Sequence, residues 1–105
     1  MKIQHALMLV SGLFISQAAF ADDGAALLKK KNCTACHHAT NKMVGPSIKA
    51  IADKYRGDAG AADNLARKVR AGGTGSFGKM SMPPTSSGVS DSDINAMVAF
   101  ILATK

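Results

Sequence analysis

The stretch Cys33-Thr34-Ala35-Cys36-His37 carries the most specific chemistry in this sequence. Two cysteines separated by two residues, with a histidine directly after the second, form the attachment motif of c-type haem. The two thiols can add across the vinyl groups at one edge of the porphyrin. The imidazole of His37 is then held under the ring, where it can bind the iron as the proximal ligand. The motif therefore predicts one covalently attached haem c, with its iron, anchored by Cys33 and Cys36.

The residues before this motif predict a secretory signal peptide. A basic N-terminus precedes a mostly apolar run over residues 6–15, and residues 19–21 have an A-x-A arrangement. This order is typical of a signal peptide, here cleaved after Ala21. The apolar run has about ten residues, whereas a membrane span needs roughly 20. We therefore expect residues 1–21 to be removed on export to the periplasm, leaving residues 22–105 as one domain.

The predicted mature chain is small and basic. Its 84 residues, 105 less the predicted 21, allow one domain with a modest core, which an apolar prosthetic group would enlarge. The whole sequence has 13 basic and seven acidic residues and a net charge of +6, which becomes +5 once Lys2 is removed. A positive balance favours encounter with acidic protein surfaces. Export and the scarcity of aromatic residues argue against nucleic acid, and a monomer is the expected state.

Four helices are predicted in the mature chain, and no segment alternates like a strand. The first spans residues 22–32, with aspartates at its start and lysines at its end. Apolar residues at helical spacing predict the next two over residues 47–55 and 61–71. Ser90 is the predicted N-cap of a last helix, which has the best apolar stripe in the sequence. The expected fold class is all-α, with four to five short helices around one haem.

A long loop over residues 72–88 is expected to supply the second axial ligand of the iron. A structureless loop of this length is uncommon in a small domain unless it has a function, and a methionine sulfur keeps haem iron six-coordinate. Met82 is the favoured ligand because two prolines follow it and stiffen the chain, and Met80 is the alternative. Met43 lies too close in sequence to the proximal histidine, and Met97 belongs to the apolar stripe of the last helix.

The segment after the motif is expected to complete the proximal side. A backbone carbonyl in the turn over residues 43–46 can accept the Nδ1–H of His37 and so set the tautomer of its ring. His38 is the only other histidine of the predicted mature chain and could be an alternative ligand or a pH-sensitive group. A solvent-facing side chain is the favoured interpretation of His38.

Four features together resemble the small bacterial class I cytochromes c of the c-551 type. They are the haem motif at residues 33–37, the segment K-M-V-G-P at 42–46, M-P-P at 82–84, and the capped terminal helix. The resemblance covers residues 22–105 and is far more specific than the motif alone. It implies a periplasmic one-electron carrier with thioether-linked haem and His/Met ligation.

Carried over residue by residue, the resemblance implies that Cys33 and Cys36 hold the haem. It makes His37 the proximal and Met82 the distal ligand.

Four further positions follow from the same resemblance. The Pro46 carbonyl is the implied acceptor for the proximal histidine, and Lys68 stands where the family often has a basic residue near a haem propionate. Phe77 replaces a tryptophan whose indole N–H bonds a propionate in many relatives. Thr85 replaces an asparagine that can bond the ligating sulfur. The last two departures put the reduction potential and the hydrogen bonding at the haem edge in question.

The expected function is to carry one electron between respiratory redox partners that present acidic surfaces. Candidate steering residues are Lys29, Lys31, Lys42, Lys49 and Lys79. The main alternative is a peroxidase-like or ligand-binding haem protein, which would need an open distal position. A thiol–disulfide oxidoreductase is less favoured because its usual βαβ pattern is missing from the sequence.

Overall fold

A computed structural model describes residue 12 and residues 18–105 of the chain. Within them lie the α-helices α1 (Ala18–Lys30), α2 (Ile48–Tyr55), α3 (Ala61–Ala71) and α4 (Asp91–Ala103), and a 3₁₀ helix, Cys33–Ala35. The predicted all-α class is therefore confirmed. In this described part of the chain, no helix is long and apolar enough to cross a membrane.

The core lies around α4, against which α1, α2 and α3 all pack. Its most deeply buried side chains are Ile94, Met97 and Val98, each no more than 2% exposed. The other helices add Leu28, Ile48, Ile51 and Leu65 to this core. Because α4 has neighbours on several sides, burial of its apolar stripe accounts for much of the driving force for folding.

The first helix differs most from its predicted bounds. It begins at Ala18, so it runs through the predicted cleavage position after Ala21, and it ends at Lys30. Asn32 follows in the left-handed conformation with φ of 63°, and its N–H donates to the carbonyl of Lys29 at 3.1 Å. Cleavage of the signal peptide stays a prediction, since residues 1–11 and 13–17 lie outside the described residues.

Helices α1 and α4 meet at Gly24. A β-carbon at this position would lie 2.5 Å from the carbonyl oxygen of Ala96 and 2.5 Å from Cβ of Phe100. Only glycine allows so close an approach of the two backbones. This contact brings the start of the chain against its last helix and sets the direction in which α1 leads to the haem motif.

The remaining helices begin and end close to their predicted positions. Ser47 caps α2 by accepting a hydrogen bond from the N–H of Ala50 at 3.0 Å, and Ser90 caps α4 in the same way with Asp93. Helix α3 ends at Gly72, whose φ is 68°. These helix bounds could be predicted from the local sequence because N-cap residues and the glycines that end helices act within one turn of the helix end.

Candidate haem-binding cleft

A cleft beside α4 has a volume of ≈ 180 Å³ and is partly open to solvent. The core side chains of α2, α3 and α4 make most of its wall apolar. Of the residues predicted for the site, the following line the cleft: Cys33, His37, Pro46, Lys68, Phe77 and Met82. Cys36 is half-buried and does not line it, whereas the alternative ligand Met80 does.

The 3₁₀ helix brings the motif to the cleft. The N–H groups of Cys36 and His37 both donate to the carbonyl of Cys33, at 3.2 and 3.0 Å, so the chain turns tightly between the two cysteines. The sulfur of Cys33 lies 4.0 Å from the sulfur of Met97. Burial raises the pKa of the Cys33 thiol above its ordinary value, which favours the neutral thiol near neutral pH.

The imidazole of His37 is oriented by one hydrogen bond. Its Nδ1 lies 2.8 Å from the carbonyl oxygen of Pro46. A carbonyl can only accept, so the ring proton is on Nδ1, and Nε2 keeps a free lone pair that can bind a metal. The structure therefore places the acceptor within the turn where the sequence predicted it.

Gly45 forms the surface against which the imidazole packs. A β-carbon here would lie 2.6 Å from Cε1 and 2.9 Å from Nδ1 of His37. The turn is tied to the motif because the N–H of Gly45 donates to the carbonyl of Cys36 at 2.9 Å. This role of Gly45 could not be predicted from the sequence. A residue without a side chain is needed there only because the His37 ring packs against it, and that contact is seen only in the structure.

Met82, which lines the same cleft, is fixed by its backbone. Its N–H donates to the carbonyl of Gly73 at 2.8 Å and its carbonyl accepts from the N–H of Gly73 at 2.9 Å. Its side chain is half-buried, while that of Met80 is 66% exposed. A weak thioether ligand needs such a rigid mounting, so the geometry favours Met82.

Gly72 allows this mounting. A β-carbon there would lie 2.4 Å from the carbonyl oxygen of Met82 and 2.7 Å from the nitrogen of Pro84, and its positive φ also suits glycine. From the sequence, Gly72 is only the first residue of the predicted loop over residues 72–88. The signal that could have revealed its second role is the pair Gly72-Gly73, since one glycine is enough to end a helix.

The loop over residues 72–80 forms the mouth of the cleft, and two lysines hold it. The ammonium of Lys68 donates to the hydroxyl of Ser76, and that of Lys54 donates to the carbonyl of the same residue. The Lys54 ammonium also lies 4.5 Å from the centroid of the Phe77 ring, within cation–π distance. Lys54 was missed by the sequence analysis because its contact lies 22 residues along the chain.

The hydroxyl of Thr85 is engaged with α3. It donates to the carbonyl of Val69 at 2.7 Å, and the N–H of Thr85 donates to the carbonyl of Arg70 at 3.1 Å. Both groups satisfy carbonyls of the last turn of α3, which have no partner inside the helix. Both hydrogen-bond donors of Thr85, its hydroxyl and its backbone N–H, therefore donate to α3.

The arrangement suits a large flat apolar group held covalently at one edge. The walls of the cleft are apolar, and Cys33 offers a sulfur. The imidazole of His37, which keeps a free lone pair on one nitrogen, and the thioether of Met82 line the same cleft. These last two groups, on His37 and Met82, could hold the metal of such a group. The fold and the site thus define a small all-α haem protein of the electron-transfer kind.

Comparison with known proteins agrees with that class. The family model described as "Cytochrome c" matches residues 21–105. Cytochrome c-551 of Pseudomonas aeruginosa is 39% identical over 98 residues, which are 93% of this chain and 92% of that protein. Cytochrome c-552 of Nitrosomonas europaea is 44% identical over 88 residues, 84% of each chain.

A solved structure gives the same result for the fold. The crystal structure of wild-type Nitrosomonas europaea cytochrome c552 matches with a TM-score of 0.73 and 46% identity, over 77% of this chain and 99% of that one. The chain belongs to the cytochrome c family and is a small class I cytochrome c. Its cofactor is covalently bound haem c with its iron, and it is a haem c electron carrier.

Proposed function

We propose that this protein carries single electrons in the periplasm, with His37 and Met82 as the axial ligands of its haem iron. Cys33 and Cys36 form the two thioether bonds, as the motif predicts. The observation that carries the proposal is that His37 and Met82 line one cleft and are each tied to neighbouring backbone, at Pro46 and Gly73. The periplasmic location rests on the predicted signal peptide.

The bound haem supplies the one-electron couple of its iron, and the protein tunes that couple. The hydrogen bond from His37 to Pro46 holds the imidazole in one tautomer and makes it a better donor. A methionine as the other ligand raises the reduction potential. Because no bond is made or broken, the two mountings need only retain both ligands in both oxidation states while the apolar wall excludes water.

The mouth of the cleft is the proposed place of the propionates. Lys68 lines the cleft, and no carboxylate of the described residues lies within ion-pair distance of it. Besides its hydrogen bond to Ser76, its ammonium therefore has N–H groups left for a propionate. The Phe77 ring lines the same cleft and has no N–H to donate, so Lys68 is the main proposed donor there.

Acidic surfaces of periplasmic or membrane-bound redox proteins are the proposed partners. The structure separates the candidate steering lysines into two kinds. Lys31 and Lys49 are paired with Asp93 and Asp53, at 3.9 and 2.7 Å. Lys79 is exposed in the loop at the mouth of the cleft, between two cleft-lining residues, so its full charge faces an approaching partner.

The near-infrared iron–thioether band of the oxidised holoprotein tests the ligand set. The wild-type protein should show the band. Met82→Ala should abolish it and lower the reduction potential, because the distal position opens, whereas Met80→Ala should leave both nearly unchanged. Loss of the band in Met80→Ala alone would make Met80 the ligand. A wild-type protein without the band that rapidly binds peroxide or cyanide would instead be a haem enzyme or ligand-binding protein.

A further inference from the structure

The segment that joins Met82 to α4, residues 83–90, has little to hold it in place. It contains no helix or strand, and most of its side chains are exposed. Thr85 and Val89 are its only half-buried residues. A segment with so few apolar contacts opens easily unless hydrogen bonds to a stable element restrain it. Whatever restrains it also restrains the adjoining Met82.

One side chain of α3 supplies two of the hydrogen bonds that restrain this segment. Arg70, in the last turn of α3, donates from Nη1 to the carbonyl of Ser86 at 2.9 Å. Its Nη2 donates to the carbonyl of Val89 at 2.7 Å and to Oδ1 of Asp91 at 2.6 Å. One guanidinium therefore joins three parts of the fold: the end of α3, the linking segment and the first turn of α4.

The same end of α3 also receives Met82 itself. The backbone N–H of Thr85 donates to the carbonyl of Arg70, and Gly72 packs against the carbonyl of Met82. The chain from Met82 to Asp91 is thus held along a single edge of α3. The Arg70 side chain fastens the far end of that edge, where the segment would otherwise lift away from α3.

We propose that Arg70 is a positioning residue for the distal ligand, setting how often Met82 leaves the iron. The inference rests on the proposed His/Met ligation. Three N–H groups on Nη1 and Nη2 of a planar guanidinium can reach two carbonyls and a carboxylate at once, which a lysine ammonium on a flexible stem cannot do in the same geometry. Opening of the segment frees the distal position without unfolding the core around α4.

Imidazole binding to the oxidised holoprotein measures this opening. At high imidazole concentration the binding rate levels off at the rate at which Met82 leaves the iron. Arg70→Ala should raise that limiting rate about tenfold or more, since hydrogen bonds from a charged group are lost. Arg70→Lys should raise the limiting rate comparably, because lysine keeps the positive charge but cannot donate to both carbonyls as the planar guanidinium does. Both variants should keep the near-infrared band when imidazole is absent.

Three controls separate positioning from general stability. Arg67→Ala removes an exposed arginine from the same helix and should change the rate by less than about twofold. Asp91→Asn keeps both carbonyl contacts of Arg70 and should also have a small effect, since the Asp91 side chain is 90% exposed. Leu27→Ala removes a side chain that packs against the core and lies outside both the segment and the cleft, so it should lower the unfolding midpoint and leave the imidazole rate unchanged.

The inference is overturned if Arg70→Ala and Arg70→Lys both bind imidazole at the wild-type rate, or if Leu27→Ala accelerates binding as much as they do. If Arg70→Ala does not fold, Arg70→Lys decides by the same criterion. Failure of the proposed function is a separate result, because it is the absence of the thioether band from the wild-type protein.

Discussion

His37 is held between a backbone oxygen and a glycine. Pro46 accepts from one ring nitrogen, and the missing side chain of Gly45 leaves room for the ring face. The ring that these two contacts orient lines the cleft. The orientation of the His37 ring thus depends on Pro46 and Gly45, neither of which has a polar side chain.

Gly45→Ala tests this dependence. The added methyl would lie 2.6 Å from Cε1 of His37, so the ring or the turn must move. We expect the holoprotein to lose about 1–3 kcal/mol of unfolding free energy, the usual cost of overpacking, and its reduction potential to shift. Denaturant unfolding and a redox titration measure the two effects.

Gly60→Ala is the matched control for this substitution. Gly60 has a negative φ, and its nearest neighbour to a β-carbon is Oδ1 of Asp58 at 3.5 Å, an ordinary contact. Since it is an N-cap, its replacement should cost less than about 1 kcal/mol and leave the potential unchanged. Equal effects of the two substitutions would mean that Gly45 does not orient the histidine.

At the scale of elements, α4 is the helix on which the other three rest. Met97 is 1% exposed, lines the cleft and lies 4.0 Å from the sulfur of Cys33. It therefore belongs to both the helical core and the haem site. The alternative role of Met97 as an iron ligand is disfavoured by this packing inside the core.

Met97→Ala should destabilise the holoprotein by about 2–5 kcal/mol, because it leaves a cavity in the core. Asn95→Ala, on the exposed face of the same helix, should change stability by less than about 0.5 kcal/mol. Denaturant unfolding of both variants makes the comparison. A loss below about 1 kcal/mol for Met97→Ala would show that the core can close around the missing side chain.

At the scale of the whole molecule, charge is the property that a partner meets first. The chain has a net charge of +6 before any cleavage, and surface charges interact over a Debye length of about 10 Å at 0.1 M salt. Paired lysines present less of their charge than unpaired ones. The position of Lys79 at the mouth of the cleft gives it more influence on approach than Lys49, whose partner is Asp53.

The rate of reduction by an anionic one-electron complex should fall severalfold as ionic strength rises. Lys79→Gln should slow the reaction at low salt and flatten its salt dependence, while Lys49→Gln should do so much less. Stopped-flow kinetics of the wild-type protein and both variants provide the test. A rate that does not depend on ionic strength would exclude electrostatic steering at this edge.

The sequence alone determined the haem motif, the all-α class and most helix bounds. Each depends on residues close together in the chain: the motif spans five positions, the caps act within one turn, and helical periodicity repeats every few residues. The start of α1 was wrong by four residues because the predicted helix was taken to begin after the cleavage position.

Only the tertiary structure decided how the two proposed iron ligands are mounted. Gly72 meets Met82 and Pro84, and Arg70 reaches Val89, 19 residues further along the chain. The first contact is marked in the sequence only by the pair Gly72-Gly73, and the second leaves no local pattern, since arginine is also an ordinary helix-end residue. Whether a side chain must be absent, or a guanidinium must reach a distant carbonyl, depends on how the elements pack, and that is decided only when the core around α4 has formed.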